Sequence, residues 1–404
     1  MITNGKSPRD AVILSGARTP VGRFMGALAS LAAPELGGIA VREAVRRAGI
    51  DPAAINEVLI GQVVQAGAGQ APARQAALKG GLPSSVGAVT INKVCGSGLK
   101  AVMLAASAIR VGDGDLYVAG GMESMSQAPY LIKGMREGHR YGNTELLDAN
   151  VIDGLYCATE CWMMGCAAEF IAAEFGVSRQ EMDEFALGSH RKAIEAIDAG
   201  RFKSEIVPVE IRRKKETLVV DTDETPRRDT SLEALAKLPP AFAENGLVTA
   251  GNAPGLSDGA AALVVASREY AESIGVRPLA RIVAYGHAAL DPKWLFAAPA
   301  KAMPLVLQKA GWSLDEVDLV EVNEAFAAQT LANGKDMAQQ GHPWDWGKVN
   351  VNGGAVALGH PIGASGARVL VTLLHALHHR GLKRGLASLC LGGGEAVAMA
   401  VEME

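Results

Sequence analysis

The sequence predicts an α/β protein built from two similar halves, with a third segment inserted between them. Three observations support this prediction: a repeated helix–turn–strand segment, a repeated glycine-rich turn followed by a helix, and a long middle stretch without either pattern. Glycine is abundant, with 47 residues, whereas aromatic residues make up only 5% of the chain. This composition is typical of a compact α/β protein with many tight turns.

The first repeated element is a helix that ends at an Ala-Gly pair and then runs through a short turn into a β-branched strand. It occurs at residues 44–61 and again at residues 307–323, with the same spacing from the glycine to the strand. Glycine commonly follows the last helical residue because it adopts the left-handed conformation without strain. The β-branched residues after the turn favour a strand.

The second repeated element is a strand, a glycine-rich turn, a helix and a further strand that ends in a glycine pair. In the first half these segments are residues 89–94, 95–98, 99–110 and 116–121. In the second half they are residues 349–354, the turn around His360, residues 365–379 and residues 386–394. Because the order is the same in both copies, we expect two α/β halves that face each other across a pseudo-twofold axis.

The middle of the chain is interpreted as an inserted loop domain. It contains glycine and methionine clusters, an amphipathic helix near residues 179–199, and a charged, turn-rich stretch at residues 212–240. Inserted segments of this kind commonly cover a site that two rigid halves build. The predicted parts are an N-terminal half at residues 1–124, completed by 258–276, a loop domain at 125–257, and a C-terminal half at 277–404.

Charge and composition exclude several classes of protein. The 404 residues are 49% hydrophobic and 20% charged, as in soluble globular proteins. Thirty-nine basic and 43 acidic residues give a formal charge of −4, which argues against nucleic acid as the main partner but not against a small anion. The one dense basic run, residues 212–215, is interpreted as solvated surface.

The termini and the cysteines bear on location. Charged residues interrupt each hydrophobic run, so no membrane span is expected. The first six residues show no apolar signal core and the last residues show no peroxisomal tripeptide, so we expect a cytosolic protein. Five cysteines, an odd number, favour free thiols over a disulfide framework.

Cys95 is the strongest candidate for a nucleophile. It follows a predicted strand and precedes a predicted helix, so unpaired backbone N–H groups and the helix dipole favour its thiolate. Gly96 and Gly98 let a substrate and a second backbone approach closely. Taken alone, Cys95 is as compatible with an inert buried thiol as with a reactive one.

Three polar residues fall at corresponding positions of the second half, namely Asn323, His360 and Cys390. If the two halves face each other, these residues converge on Cys95. A base and an amide beside a cysteine form the general arrangement of thiol nucleophiles. The second cysteine suits a further acid or base, because a thiol has a pKa closer to neutrality than a hydroxyl has.

Five sequence blocks resemble the signature blocks of thiolases, and they occur in that family's order. The blocks are residues 92–98 (NKVCGSG), 248–253 (VTAGNA), 323–327 (NEAFA), 353–366 (GGAVALGHPIGASG) and 390–394 (CLGGG). The resemblance extends from Arg18 to the last strand. It implies the duplicated thiolase fold, with two pseudo-symmetric halves that form a layered α-β-α-β-α core, and an inserted loop domain.

The resemblance also implies roles for the matching residues. His360 would deprotonate Cys95, which attacks an acyl-CoA and becomes the acyl-enzyme. Cys390 would remove the α-proton of a second acyl-CoA, or return it in the reverse direction. One oxyanion site would comprise His360 and a water held by Asn323, and the other the backbone N–H groups of Cys95 and Gly392.

The activity implied is a reversible Claisen condensation in which two acetyl-CoA molecules give acetoacetyl-CoA and CoA. Coenzyme A thioesters are the substrates, and neither a separate cofactor nor a metal is expected. The resemblance also implies a homo-oligomer, with a tetramer favoured over a dimer.

The positions that match the family's substrate contacts are Arg227, Phe242, Ala253, Pro254, Leu295, Phe326 and Met163. Arg227 is expected near the nucleotide end, whereas Phe242 and Phe326 are also compatible with a purely structural place in the core. Pro254 stands where relatives often carry a serine that bonds the pantetheine, so that hydrogen bond is expected to be absent. Met163 stands where acetoacetyl-CoA-forming members carry a histidine, and its flexible thioether suits other acyl groups.

Several alternatives stay open at this point. The first is a degradative 3-ketoacyl-CoA thiolase of broader chain length, because of Met163. A β-ketoacyl synthase shares the fold, but it usually lacks a counterpart of Cys390 and of the Gly-His-Pro block at His360. A thiolase-like lipid carrier without chemistry is disfavoured because the four catalytic positions are intact. A metal site at Cys157, Cys161 and Cys166 is disfavoured because no histidine completes the set.

Overall fold

The structure is a computed structural model that describes residues 7–212 and 216–404. The first six residues and most of the basic run at 212–215 therefore lie outside the described residues. The strands are β1 Ala11–Arg18, β2 Gly22–Arg23, β3 Glu57–Gly61, β4 Gly87–Ile91, β5 Leu116–Ser124, β6 Tyr130–Leu131, β7 Leu147–Asp148, β8 Tyr156–Cys157, β9 Trp162–Met163, β10 Val209–Arg212, β11 Thr217–Val220, β12 Ser257–Ser267, β13 Ala280–Ala289, β14 Leu319–Val322, β15 Arg384–Leu391 and β16 Glu395–Met403. The helices are α1 Ala33–Ala48, α2 Pro72–Lys79, α3 Ser97–Val111, α4 Met164–Glu174, α5 Arg179–Asp198, α6 Leu232–Ala236, α7 Arg268–Ser273, α8 Pro299–Ala310, α9 Ala327–Gln339, α10 Ala355–Leu358 and α11 Ile362–Arg380.

The main strands follow the order β4-β3-β5-β12-β1-β13-β16-β15-β14. At the centre of this order, β1 and β13 pair only through Val12 with Arg281 and Ile13 with Ala280. The chain therefore forms two sheets that meet at a narrow seam. Each sheet ends in parallel pairs, β3 with β4 and β5 in the first and β14 with β15 in the second, and continues antiparallel towards the seam.

Two helices, α3 and α11, lie side by side between the sheets. The apolar cluster around them takes inward-facing residues from both sheets, such as Leu263 from β12 and Leu389 from β15. The alternate residues of the first sheet, such as Val264, pack against α1 and α2, and those of the second, such as Leu386, pack against α8. Successive side chains of each strand thus point to opposite faces of the sheet, and both faces are covered by helices. The predicted layered α-β-α-β-α core is therefore present.

The central helix α3 belongs to a stretch, Val94–Val111, that is apolar and long enough by composition to cross a membrane. Lys100 and Arg110 interrupt this stretch, as expected from the sequence, but its length and mean hydropathy are still those of a candidate span. Its residues Leu99 and Ile109 are fully buried between the two sheets. The apolar character of α3 therefore serves the packing of the core.

The predicted strand at residues 349–354 is wrong. Only Val349 pairs, as an isolated bridge with Val320, and the chain then turns through Asn350 at a φ of 46°. The side-chain amide of Asn350 accepts from the N–H of Val322 and donates to its carbonyl oxygen, each at 2.9 Å. This side chain satisfies the edge of β14, so no further strand is required there.

The middle of the chain, between β5 and β12, carries the short strands β6 to β11 and the helices α4 to α6. The amphipathic helix predicted near residues 179–199 is present as α5. After this middle segment the chain re-enters the first sheet as β12, which lies between β1 and β5. On this basis we propose the division predicted above, with residues 258–276 completing the N-terminal half.

Candidate active site

The turns that carry the predicted reactive residues meet at one cavity of about 310 Å³. Cys95, His360, Cys390 and Gly392 line this cavity, which we call the reaction cavity. Cys95 comes from the first half and the other three come from the second half. Asn323 does not line the cavity, but lies directly behind His360 and is fully buried.

Cys95 lies in a tight turn between β4 and α3. The helix begins at Ser97 rather than at Cys95, and Gly96 forms its N-cap. The preceding Val94 has a φ of 44°, a left-handed conformation that β-branched residues rarely adopt. Ser97 stabilises this turn, because its Oγ accepts from the N–H of Lys93 at 2.8 Å and donates to the carbonyl oxygen of Val94 at 2.6 Å.

The environment of the Cys95 sulfur combines opposing effects. Burial raises the pKa of the Cys95 thiol to about 12, and the charge of Glu123 acts in the same direction. The backbone N–H groups of Cys95 and Gly392 lower this pKa. The backbone N–H groups therefore favour the thiolate, as predicted, but desolvation outweighs their effect on the pKa of Cys95. Attack by Cys95 therefore requires a base.

His360 follows α10 and is held from several sides. Its backbone N–H donates to Ser257 Oγ at 3.1 Å, and its Nδ1 lies 2.6 Å from Ser365 Oγ. Its Nε2 lies 3.5 Å from the side-chain nitrogen of Asn323. Burial, followed by the charge of Arg368, lowers the pKa of His360 to about 3. The imidazole is therefore neutral at neutral pH and can accept a proton.

Cys390 is the penultimate residue of β15, with only 1% of its surface exposed. Burial raises the pKa of Cys390 well above its ordinary value, and the charge of Cys95 raises it further. The charge of one thiolate thus disfavours ionisation of the other thiol. Gly392 follows β15 directly and brings its N–H towards the Cys95 sulfur. This N–H and that of Cys95 form a pair of backbone donors in the cavity.

A second, polar cleft of about 600 Å³ adjoins the reaction cavity. Arg227 lines this cleft, and its backbone N–H donates to His190 Nδ1 at 3.1 Å. The two spaces share four wall residues, Ala250, Ala253, Gly255 and Leu256. A long ligand can therefore place a charged end near Arg227 while its other end reaches Cys95.

The comparisons with known proteins agree with this architecture. Residues 11–269 match the family model of the thiolase N-terminal domain, and residues 276–403 match that of the thiolase C-terminal domain. The chain belongs to the thiolase family. The predicted family and fold are confirmed.

Two curated relatives of this thiolase are acetyl-CoA acetyltransferases. The one from Pseudomonas aeruginosa is 53% identical over 392 residues, covering 97% of this chain and 98% of the relative. The one from Cupriavidus necator is 53% identical over 394 residues, covering 97% and 99%. Among solved structures, the Bacillus anthracis acetyl-CoA acetyltransferase is 45% identical with a TM-score of 0.95, covering 98% of this chain and 99% of that one.

The remaining predicted contact residues of this thiolase surround the reaction cavity. They are Met163, Phe242, Ala253, Pro254, Leu295 and Phe326. Phe326 packs edge-on against both Phe242 and Phe296, with ring centroids 6.2 and 5.5 Å apart. These aromatic side chains therefore line the cavity and also belong to an apolar cluster.

Met163 reaches the cavity through a small hairpin. Strand β9 pairs with β8, which sets Met163 opposite Tyr156. The neighbouring Trp162 packs against Phe170, with ring centroids 5.8 Å apart, and Phe170 packs against Trp294 at 5.1 Å. This row of aromatic rings fixes the hairpin over the cavity, so the Met163 side chain borders the space open to an acyl group.

Sequence reasoning missed several residues of the site. Further apolar residues line the cavity, namely Met125, Leu155, Met164, Leu256 and Ile362. Ser257 and Ser365 hold His360, and Glu324 lies fully buried behind Asn323. A signal exists only for Ser365, which follows His360 by five residues at the start of a predicted helix, where a side chain can fold back onto the preceding turn.

The three cysteines of the loop domain do not form a cluster with other potential metal ligands. Within residues 7–212 and 216–404, no group of three or more histidine, cysteine, aspartate or glutamate side chains is arranged to hold a metal ion. Cys157 is buried with its sulfur 3.1 Å from Thr159 Oγ1, and Cys166 donates to the carbonyl oxygen of Phe242 at 3.7 Å. Cys161 is exposed.

Proposed function

We propose that this thiolase converts two acetyl-CoA molecules reversibly into acetoacetyl-CoA and CoA, through an acetyl group carried on Cys95. The observation that carries the proposal is the meeting of two thiols, a neutral imidazole and two backbone N–H donors in one cavity. The acetyl-CoA acetyltransferases that are 53% identical over almost the whole chain support the same reaction.

The first half-reaction is acyl transfer. His360 accepts the thiol proton of Cys95 as the sulfur attacks the thioester carbonyl carbon of acetyl-CoA. The N–H groups of Cys95 and Gly392 stabilise the oxyanion of the tetrahedral intermediate. The C–S bond to CoA then breaks, and the CoA thiolate takes its proton from His360. The acetyl group remains on Cys95.

The second half-reaction forms the carbon–carbon bond. His360, neutral again once CoA has left, accepts the thiol proton of Cys390, and the resulting thiolate removes the α-proton of a second acetyl-CoA. The enolate oxygen is stabilised by His360 and by a water bound to Asn323. The α-carbon attacks the acetyl group on Cys95, and the C–S bond to Cys95 breaks. The Cys95 thiolate takes the proton of His360 as acetoacetyl-CoA leaves, which restores both thiols and the neutral imidazole.

The polar cleft is proposed to bind the CoA moiety, with Arg227 near the phosphates of its nucleotide end. Ala253, shared by the cleft and the reaction cavity, and Pro254 would border the pantetheine. Pro254 has no backbone N–H and no hydroxyl, so it offers the pantetheine a packing contact in place of a donated hydrogen bond. No separate cofactor enters this scheme.

The acyl end of the proposed site is bordered by apolar side chains. Met163 and Leu295 border it with flexible apolar side chains. We therefore propose that the enzyme also cleaves somewhat longer 3-ketoacyl-CoA substrates. A kcat/KM series in the direction of thiolysis, from acetoacetyl-CoA to long 3-ketoacyl-CoA, tests this second activity. A sharp loss of kcat/KM directly beyond acetoacetyl-CoA would contradict it.

Two variants test the proposed function. Cys95→Ala abolishes both acetylation by acetyl-CoA and turnover, because the acyl carrier is gone. Cys390→Ala is still acetylated on Cys95, but no longer exchanges the α-protons of acetyl-CoA with solvent. Intact-mass measurement follows acetylation, and deuterium uptake follows exchange. Cys157→Ala, a buried thiol outside the cavity, is the matched control. Acetylation of Cys95→Ala, or unchanged exchange in Cys390→Ala, would overturn the assignment.

We further propose that the enzyme is a homo-oligomer, with a tetramer favoured. Strand β4 ends the sheet with Val89 44% exposed, so it offers a free edge for another protomer. The segment around β6 and β7 carries further exposed apolar side chains, namely Tyr130, Met135, Tyr141 and Leu146. Two separate apolar surfaces of this kind fit the two kinds of subunit contact in a tetramer built from two dimers.

A further inference from the structure

Glu324 is a buried carboxyl directly beside Asn323, and the mechanism above gives it no part. Only 1% of its surface is exposed. It lines neither the reaction cavity nor the polar cleft, but borders a separate cavity of about 340 Å³ between α5 and residues 346–350. A substrate bound at Cys95 therefore does not contact this carboxyl.

The two oxygens of Glu324 accept hydrogen bonds from three different segments. The hydroxyl of Ser189 in α5 donates to Oε2 at 2.7 Å, and the N–H of Val356 in α10 donates to the same oxygen at 3.1 Å. The side-chain amide of Asn350 donates to Oε1 at 2.8 Å. A buried carboxyl with this many donors is costly to alter, because the Ser189 hydroxyl and the Val356 N–H would lose their acceptor inside the protein.

These hydrogen bonds connect Glu324 to the turn that carries His360. Val356 precedes His360 by four residues, within α10. The N–H of Gly354 donates to Ser189 Oγ at 3.0 Å, so Ser189 links a second backbone group of the same turn to the carboxylate. A Cβ at Gly354 would overlap with the Glu324 carboxylate, so glycine is required at this position.

On its other side, Glu324 fixes the peptide that carries Asn323. Asn350, its third partner, also pairs with the backbone of Val322, so the end of β14 is held on both sides of Asn323. The same carboxylate thus anchors Asn323 and the approach to His360, whose side chains come within 3.5 Å of each other. Burial raises the pKa of Glu324, while its three donors lower it.

We propose that Glu324 is a positioning residue that sets the spacing between Asn323 and His360. The inference rests on the proposed function, since the spacing matters when these two groups together stabilise the enolate oxygen. An error in this spacing weakens an interaction made in the transition state and leaves the binding of CoA unchanged. Loss of the anchor therefore lowers kcat with little effect on KM.

The test is Glu324→Gln, assayed by thiolysis of acetoacetyl-CoA. Glutamine keeps the size of the side chain. Its NH₂ group, however, replaces one accepting oxygen of the carboxylate with a donor, which then faces a donor of Ser189, Val356 or Asn350. We expect kcat to fall about tenfold or more, with KM within about twofold of the wild type. Glu205→Gln is the matched control: this carboxyl is also 1% exposed, bonds Arg18 and Thr372, and lies outside the reaction cavity. Its kcat should stay at the wild-type value even if its Tm falls.

A double-mutant cycle separates positioning from a general structural effect. If Glu324 acts through Asn323, then Glu324→Gln costs little further kcat in the Asn323→Ala background. The inference would be overturned if the kcat losses of Glu324→Gln and Asn323→Ala simply multiplied in the double variant. It would also be overturned if Glu324→Gln alone left kcat unchanged. If Glu324→Gln does not fold, Ser189→Ala takes its place, because it removes one donor and the link to Gly354 while the carboxyl stays. An unchanged kcat, or a kcat loss that multiplies with that of Asn323→Ala, would again overturn the inference.

The outcomes also separate this inference from the function on which it rests. A wild-type enzyme that neither becomes acetylated nor turns over acetoacetyl-CoA refutes the proposed function, and the inference with it. A wild-type enzyme that is active, beside a Glu324→Gln variant with the same kcat, refutes the inference alone.

Discussion

The sulfur of Cys95 lies in an apolar cavity and is faced by two backbone N–H groups. Burial nevertheless raises the pKa of this thiol to about 12, while it lowers the pKa of His360 to about 3. Both shifts favour the neutral pair of thiol and imidazole over the ion pair. In the proposed mechanism the thiolate therefore forms as the proton moves to His360 during attack, in the desolvated site where the N–H groups act most strongly.

The pH dependence of alkylation tests this description at the level of the residue. Between about pH 7 and pH 10, we expect the rate at which iodoacetamide labels Cys95 to rise about tenfold per pH unit without a plateau. A raised pKa means that the thiol form dominates over this range, so each unit increases the small thiolate fraction. His360 stays neutral throughout, because its pKa lies far below this range.

Peptide mass spectrometry after short exposure to iodoacetamide measures the rate at Cys95. A free cysteine peptide serves as the control, and its rate levels off above its ordinary pKa of about 8.5. A plateau of the Cys95 rate near neutral pH would show that the helix start and the N–H groups outweigh desolvation.

Among the elements, the β8–β9 hairpin places a side chain at the acyl end of the proposed site. It places Met163 on the cavity and is supported by tilted and edge-on contacts between aromatic rings. We expect Met163→His to shift specificity towards acetoacetyl-CoA, because an imidazole narrows the cavity and adds a donor. A methylene in an apolar pocket is worth about 1–3 kcal/mol of discrimination, so the shift is on the order of tens of fold.

The measurement is kcat/KM for C4, C6 and C8 3-ketoacyl-CoA substrates with both proteins. Leu305→Ala provides a control for a change of apolar volume on the exposed surface, and its ratios should equal those of the wild type. Identical ratios in Met163→His and the wild type would show that Met163 does not face the acyl group.

The close approach of α3 and α11 joins the two halves of the core. A Cβ at Gly98 would lie 2.7 Å from the backbone nitrogen of Ala367, so the helices would have to move apart. We expect Gly98→Ala to lower the free energy of unfolding by about 1–3 kcal/mol through overpacking. Gly188→Ala is the matched control, because its Cβ meets nothing within 4 Å and alanine favours the helix.

Thermal or urea unfolding measures both variants. A Gly98→Ala variant as stable as the wild type would mean that the two helices can separate at no cost. The comparison is informative because both sites lie in helices, α3 and α5, and differ in what surrounds the added methyl group.

At the level of the whole molecule, the free edge of β4 bears on assembly. We expect Val89→Lys to weaken the proposed homo-oligomer, because a buried, unpaired ammonium at an edge-to-edge contact is strongly unfavourable. Light scattering coupled to size-exclusion chromatography measures the mass of both proteins across a dilution series. Val111→Lys, which changes a residue 82% exposed at the end of α3, is the control. An unchanged mass for Val89→Lys would place the interface elsewhere.

The duplicated α/β architecture, the family and the residue types that meet at the site could all be predicted from the sequence. These properties are written in local patterns, such as the repeated glycine-rich turns and the order of the signature blocks. The predicted helices, such as α5 and α11, fall where the periodicity places them, because an amphipathic repeat encodes its own secondary structure.

Three further properties depend on the tertiary structure: the protonation of Cys95 and His360, the turn at Asn350, and the hydrogen-bond partners of Glu324. Desolvation depends on what packs around a group, and no local pattern reports it. The Glu324 carboxylate takes a donor from Ser189, 135 residues earlier in the chain, and the strand expected at residues 349–354 is replaced by a side-chain amide. Such hydrogen bonds arise from the meeting of distant segments, so the folded chain alone determines them.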